Sequence, residues 1–188
     1  FLEKPMALNS QECQDIIVAT EKNHVALMIG HSQRYFPTNI KVHELLQTNY
    51  FGKPLVIRSS QMGAGLELKS LAENHWALDE RLGGSGTTLG YGIHNIDKVL
   101  WWINEDPDFI CGTFRKDFKR DKEFGSFINF TTQSGIDVST MFQGDFNGQL
   151  FDYQRDCAEL ICERGHIECQ SYRQVRICPV NGEWSTIL

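Results

Sequence analysis

Phe124-Gly125-Ser126-Phe127-Ile128-Asn129-Phe130-Thr131-Thr132 alternates its side chains with a period of two, and after Gln133-Ser134-Gly135 the run Ile136-Asp137-Val138-Ser139-Thr140-Met141-Phe142 returns. That period marks strands with one face inward and one outward. A short link containing glycine folds the second strand back antiparallel to the first. The pattern continues outward in both directions. Residues 109–114 read as a short strand before it. After it, Ala158-Glu159-Leu160-Ile161-Cys162, the turn Glu163-Arg164-Gly165 and His166-Ile167-Glu168-Cys169 form a further hairpin. Residues 175–180 and 184–188 complete a meander around Asn181-Gly182.

The first half of the chain reads differently. Asn9 or Ser10 caps a helix that runs to about Glu21, with Ile16, Ile17 and Ala19 inward. Val25-Ala26-Leu27-Met28-Ile29-Gly30 is a continuous apolar run, as in a parallel strand buried on both faces. Residues 1–30 therefore read as a helix–strand unit from the edge of a doubly wound domain. His31-Ser32-Gln33-Arg34-Tyr35-Phe36-Pro37 breaks the pattern and reads as a crossing segment. A second helix starts at Thr38 or Asn39 and ends near Asn49, with Ile40, Val42, Leu45 and Leu46 apolar; residues 55–62 form a strand. Residues 63–82 are irregular, with Trp76 as their one large anchor.

The chemistry concentrates in Gly83-Gly84-Ser85-Gly86-Thr87-Thr88-Leu89-Gly90-Tyr91-Gly92-Ile93-His94-Asn95-Ile96-Asp97, a glycine-rich loop that passes into a helix. Ile93, Ile96, Leu100 and Ile103 make its apolar stripe, and Tyr91, His94, Asp97 and Trp101 line a neighbouring one. Such a polar stripe at a glycine loop suits a small-molecule site.

The net charge of −6 and the lack of a Lys/Arg cluster argue against nucleic acid as a partner. No apolar run approaches the ~20 residues of a membrane span, and the opening residues show no signal-peptide pattern. A cytoplasmic protein is expected. The cysteines Cys13, Cys111, Cys157, Cys162, Cys169 and Cys178 form no C-x-x-C pair and read as reduced, mostly buried packing residues. Asn129-Phe130-Thr131 matches a glycosylation sequon by chance, inside a strand. His24, His43 and His166 read as surface groups.

Several motifs together resemble those of the Gfo/Idh/MocA oxidoreductases. Glu3-Lys4-Pro5 is similar to that family's E-K-P signature at the end of a Rossmann strand. Arg34-Tyr35-Phe36-Pro37 is similar to its R-[FY]-x-P interdomain segment. Trp76, followed by Gly84-Ser85-Gly86 and Gly92-Ile93-His94-Asn95-Ile96-Asp97, resembles its W…G-G-G…D-x-G-x-H-x-I-D stretch, and the Glu163-Arg164-Gly165-His166-Ile167 turn fits too. The likeness runs over nearly the whole chain but corresponds only to the second part of a full-length member. It implies an α+β fold, with a large open, mostly antiparallel sheet carrying helices on one face, preceded by a remnant of a doubly wound Rossmann domain. Residues 1–33 would be that remnant, and residues 34–188 the substrate and dimerisation domain.

The resemblance also implies a function: hydride transfer between NAD or NADP and a sugar, polyol or related carbonyl. Lys4 would lie beside the nicotinamide and the substrate hydroxyl, with Glu3 and Pro5 on the cofactor side. His94 would be the acid–base group, titrating between about pH 6 and 8. Tyr91, Asp97, Trp76 and Arg34 would face substrate, with Asn74 and His75 as weaker candidates, and Asp97 would fix His94 or a loop amide. The open sheet face would pair subunits into a homodimer or higher homo-oligomer.

Two features depart from the family. Its G-x-G-x-x-G should precede E-K-P, and neither Gly63-Ala64-Gly65 nor Gly84-Ser85-Gly86 substitutes for it. The chain is thus expected to be a fragment or a reduced paralogue, inactive alone and not holding the cofactor stably. The family's catalytic aspartate, four positions before the histidine, is replaced by Gly90. A non-catalytic ligand-binding or dimerisation module is the alternative these departures favour. A phosphate loop at residues 83–88 is a third reading, weakened by the absence of a P-loop lysine.

Overall fold

The computed structural model of the protein describes residues 1–63, 79–83, 86–117, 122–144 and 156–188. Its strands, in chain order, are β1 (Pro54–Met62), β2 (Pro107–Asp117), β3 (Lys122–Thr132), β4 (Asp137–Gln143), β5 (Asp156–Cys162), β6 (Gly165–Gln170), β7 (Gln174–Pro179) and β8 (Ser185–Thr186). Among the described residues these eight form one open sheet in the order β2-β3-β4-β1-β5-β6-β7-β8. Only the β1–β4 pair is parallel. The sheet is thus two antiparallel meanders, β2-β3-β4 and β5-β6-β7-β8, joined by β1.

The alternating pattern sets the register. Phe130 lies opposite Val138, Val138 opposite Ile57, and Ile57 opposite Leu160. Leu160 pairs with Ile167, and Ile167 with Ile177. One buried apolar row therefore crosses six strands, from Phe130 at 3% exposure to Ile177 at 7%. Each such side chain contributes roughly 1.5–3 kcal/mol when buried.

Two helices cover the row. Helix α2 (Pro37–Gln47) starts with proline at its first turn, where a missing N–H costs nothing. Helix α3 (Ile93–Ile103) packs against β1, β4 and α2. Its buried face is not the aliphatic stripe expected from the sequence. Asn95, Lys98, Val99 and Trp102 point inward, while Ile93, Ile96, Leu100 and Ile103 are half-buried. The reason is polar pairing across the core. Asn95 Nδ2 donates to Ser59 O at 3.3 Å and Met141 O at 3.4 Å, and Trp102 Nε1 donates to Asn39 O at 3.0 Å.

Helix α1 (Ser10–Lys22) has the expected Asn9 cap: the Asn9 side chain accepts from Glu12 N at 3.0 Å, and Glu12 reaches back to Leu8 N at 3.0 Å. Its apolar residues are not inward, however. The helix buries no residue, and Ile17 and Val18 are 37% and 51% exposed. Residues 25–30 likewise do not form a strand buried on both faces. They make one parallel bridge, Leu2 to Ile29, and Val25 and Met28 stay exposed. In both places apolar side chains remain exposed.

All six cysteines are free thiols. Only Cys162 and Cys169 are buried, fewer than expected; Cys111 is exposed on edge strand β2. Burial pushes the Cys162 thiol up to about 11 and the Cys169 thiol to about 12, which makes them poor nucleophiles. No helix among the described residues is long and apolar enough to cross a membrane.

Candidate active site

The site forms where the chain enters α3. A π-helical turn, Thr88–Gly92, precedes the helix, a widening often found at functional positions. Glu123 on β3 holds it. Its carboxylate accepts from Thr88 N at 2.8 Å, its backbone bridges Gly86, and Thr88 Oγ1 donates to Ser126 Oγ at 2.9 Å. Gly86 takes φ +146° there, and a Cβ would lie 2.6 Å from Glu123 O, so glycine is required.

The N-terminal segment closes the other side. Lys4 Nζ donates to Gly90 O, and its ammonium lies 4.8 Å from the Tyr91 ring centre. Between Lys4 and His94 lies a pocket of about 240 Å³, also lined by Glu3, Gly30, Ser32 and Tyr35. Burial holds the Lys4 ammonium below the usual lysine range, with Glu3 opposing. His94 is depressed further, to about 4, by burial first and then by the positive charges of Lys4 and His31; Asp97 and Asp156 oppose. The limb expected near pH 6–8 therefore moves down. At neutral pH His94 is an uncharged imidazole, a proton acceptor in waiting.

One turn along α3, Asp97 is gripped by Arg34 from the 3-10 turn Ser32–Tyr35. Arg34 Nη2 and Nε donate to its two oxygens at 2.6 and 2.9 Å, the bidentate fork that makes such pairs strong. His31 Nδ1 also lies 3.4 Å from Asp97 Oδ2. Asp97 is thus engaged by Arg34 and His31 rather than by His94. Arg34 lies over Trp101 at 5.9 Å, and His43 stacks on the same indole at 4.1 Å, so His43 is not the surface group expected. Burial lowers the His43 pKa.

Behind this layer the crossing segment is bolted to the core. Lys98 Nζ bonds Asp156 Oδ1, and Gln33 Nε2 and Ser171 Oγ each donate to Asp156 at 2.8 Å. Asn39 Nδ2 caps Gln33 O at 2.9 Å. Lys98 and Asp156 have side-chain exposures of 0% and 1%.

The fold brings Lys4, Tyr91, His94, Asp97 and Arg34 together, with Glu3 beside Lys4 and Pro5 following it through a cis peptide. Trp76, Asn74 and His75 lie outside the described residues. Sequence reading missed His31, Glu123 and the Lys98–Asp156 pair. Lys98, a lysine set between Ile96 and Val99-Leu100-Trp101-Trp102, was the available signal. Among the described residues no cluster of three His, Cys, Asp or Glu suits a metal.

The fold thus joins an open mixed sheet, packed by α2 and α3, to a pocket where Lys4 and His94 meet at the mouth of α3. The family model for the GFO/IDH/MocA C-terminal domain matches residues 40–168, and the chain belongs to that family. It is 23% identical over 183 residues to Oxidoreductase P35 of Formosa agariphila, covering 97% of this chain and 55% of that protein. It is 24% identical over 195 residues to an inositol 2-dehydrogenase/D-chiro-inositol 3-dehydrogenase of Lactiplantibacillus plantarum, covering 100% of this chain and 50% of that one. The chain thus spans about half the length of these curated relatives. Among solved structures, an oxidoreductase from Agrobacterium radiobacter in complex with NAD+, L-tartaric acid and magnesium superimposes with TM-score 0.82 at 15% identity. That match covers 99% of this chain and 53% of the other.

Proposed function

We propose that the chain is the substrate-side part of an NAD(P)-dependent oxidoreductase that moves hydride between nicotinamide and a sugar, polyol or related carbonyl. Residues 1–33 then close the cofactor domain, and residues 34–188 form the substrate domain. The observation that carries it is the convergence of Lys4 and an uncharged His94 on one pocket.

The residues present fit the reactive end of such a cofactor. His94 Nδ1 is buried without a hydrogen-bond partner among the described residues, and Phe1 and Met28 supply apolar wall beside Lys4. Lys4, Glu3 and Pro5 would border the nicotinamide. That group supplies a two-electron hydride acceptor or donor. The chain's own residues handle the proton. Neutral His94 accepts it from the substrate hydroxyl, and the Lys4 ammonium lowers the cost of negative charge on that oxygen. In the reverse direction His94 returns the proton. The Tyr91 ring centre lies 4.8 Å from the Lys4 ammonium, and Arg34 holds Asp97 in place.

Turnover assayed with NAD+ or NADP+ against a panel of polyols and aldoses tests the reading, followed by reduced-nicotinamide absorbance. Lys4→Ala should lower turnover far more than cofactor affinity; unchanged turnover would remove Lys4 from the mechanism. One observation favours the non-catalytic alternative: Gly90 offers no side chain, and among the described residues, chain neighbours aside, nothing lies within 4 Å of where its Cβ would be. Saturable micromolar binding of NADH or NADPH would count against that alternative. The bare sheet face, where Phe109 and Phe127 are 61% and 50% exposed, is the proposed contact between subunits.

A further inference from the structure

His31 belongs to none of the motifs that bring this family to mind, yet the fold delivers it to the centre of the site. It stands at the start of the crossing segment, locked through Gln33 to Asp156. Its ring meets His94 edge-on at 89°, with centroids 6.3 Å apart. On its other side Asp97 Oδ2 lies 3.4 Å from Nδ1, close enough for an ion pair yet not aligned as a hydrogen bond. Both imidazoles keep a buried Nδ1 without a hydrogen-bond partner among the described residues. Among the described residues, chain neighbours aside, nothing lies within 4 Å of where a Gly90 Cβ would be.

We propose that His31 is a positioning residue for this site: facing His94 and paired with Asp97, it is a second titratable group whose charge opposes a proton on His94. The proposal rests on the oxidoreductase reading above.

The charges around the two rings explain why they act together. Lys4 comes from the N-terminal segment, Arg34 from the 3-10 turn, Asp97 from α3, and Asp156 from β5, the last already bound to Lys98. Asp97 is also shared with Arg34. With Lys4 and Arg34 both close by, the pair of imidazoles has little negative charge left to balance a second proton. One proton on either ring therefore disfavours one on the other. Burial, Arg34 and Lys4 push His31 down while Asp97 pulls it up, the same opposition that acts on His94. A neutral His31 leaves His94 free to take a hydroxyl proton, and Asp97 is near to offset the charge that results.

The test is an NMR titration of the histidine side chains in the ¹³C,¹⁵N-labelled protein, assigned by single substitutions. Two unit charges 6.3 Å apart, screened as in water, shift one another by about 0.5 pH unit. His31→Gln and His31→Phe should therefore each raise the His94 midpoint by about 0.5 unit or more. Asp97→Asn should move it the opposite way. An unchanged His94 midpoint in both His31 variants, with native spectra elsewhere, overturns the proposal. The two readings fail separately. No turnover on any polyol or aldose sinks the proposed function while leaving the titration shift in place. An unshifted titration removes His31 from its role even in an active enzyme.

Discussion

Replacing Lys98 by methionine removes an ammonium with 0% exposure and leaves the Asp156 carboxylate, 1% exposed, without its ion-pair partner. Breaking one partner of a buried ion pair costs about 3–5 kcal/mol, because the remaining charge is neither solvated nor paired. Asp156 would keep two donors, Gln33 Nε2 and Ser171 Oγ, each at 2.8 Å. Methionine nearly fills the lysine stem's volume, so little cavity is added. Both considerations place Lys98→Met near the low end, about 3 kcal/mol. Against the 5–15 kcal/mol typical of a domain that loss is large. Urea unfolding of wild type, Lys98→Met, Asp156→Asn and the double variant measures it. The double variant should be more stable than the sum of the two single losses requires, by about 1 kcal/mol or more, because the uncompensated charge is gone. A loss under about 1 kcal/mol in Lys98→Met, or strict additivity in the cycle, would refute the account of this pair.

Two further outcomes follow from the site. His94 has a folded-state pKa depressed to about 4 from the ordinary 6.5. Between those values the unfolded chain binds a proton that the folded chain refuses, so this group's stability contribution falls as pH drops from 6.5 to 4 and is constant outside that window. Discounted for partial solvent access, the loss is roughly 2 kcal/mol; unfolding free energy against pH should be flatter across the window in His94→Gln, and parallel curves would contradict the shift. Gly86→Ala would place a Cβ 2.6 Å from Glu123 O at φ +146°. It should cost about 1–3 kcal/mol and release the turn before α3, seen as faster amide exchange at Thr88; wild-type exchange there would contradict the anchoring role of Glu123.

The strands were readable because each carries its own evidence. In Phe124 to Thr132 the alternation itself says which side faces in, and the glycine turns say where the chain reverses. Helix α2 was readable for the same local reasons. The errors arose where burial depends on a partner far away or not included in the described residues. Ile17 and Val25 are as apolar as core residues, and sequence alone has no way to show that they remain exposed. In α3, two apolar-compatible stripes competed, and the winner was chosen by bonds to Ser59, Asn39 and Asp156, each distant in the chain. His31 was unreadable because its position is set by how Gln33 ties the crossing segment down, a long-range constraint with no local pattern. Lys4 and His94 were found through their motifs, and it is the fold that puts them on one pocket.

Strand β1 has a consequence for how this sheet tolerates change in length. It bonds to β4 on one side and β5 on the other, and among the described residues Ile57 joins the apolar rows of the two meanders. Inserting one residue before Ile57 would turn that side chain to the bare face and bring Arg58 inward, into the place of Ser59 opposite Thr140 and Ala158. Each meander would keep its internal pairing, yet the two would cease to share a core. The outermost strands β2 and β8 have one neighbour each and absorb such a slip locally. Length variation should therefore collect at the sheet's two margins and be nearly absent from its seam.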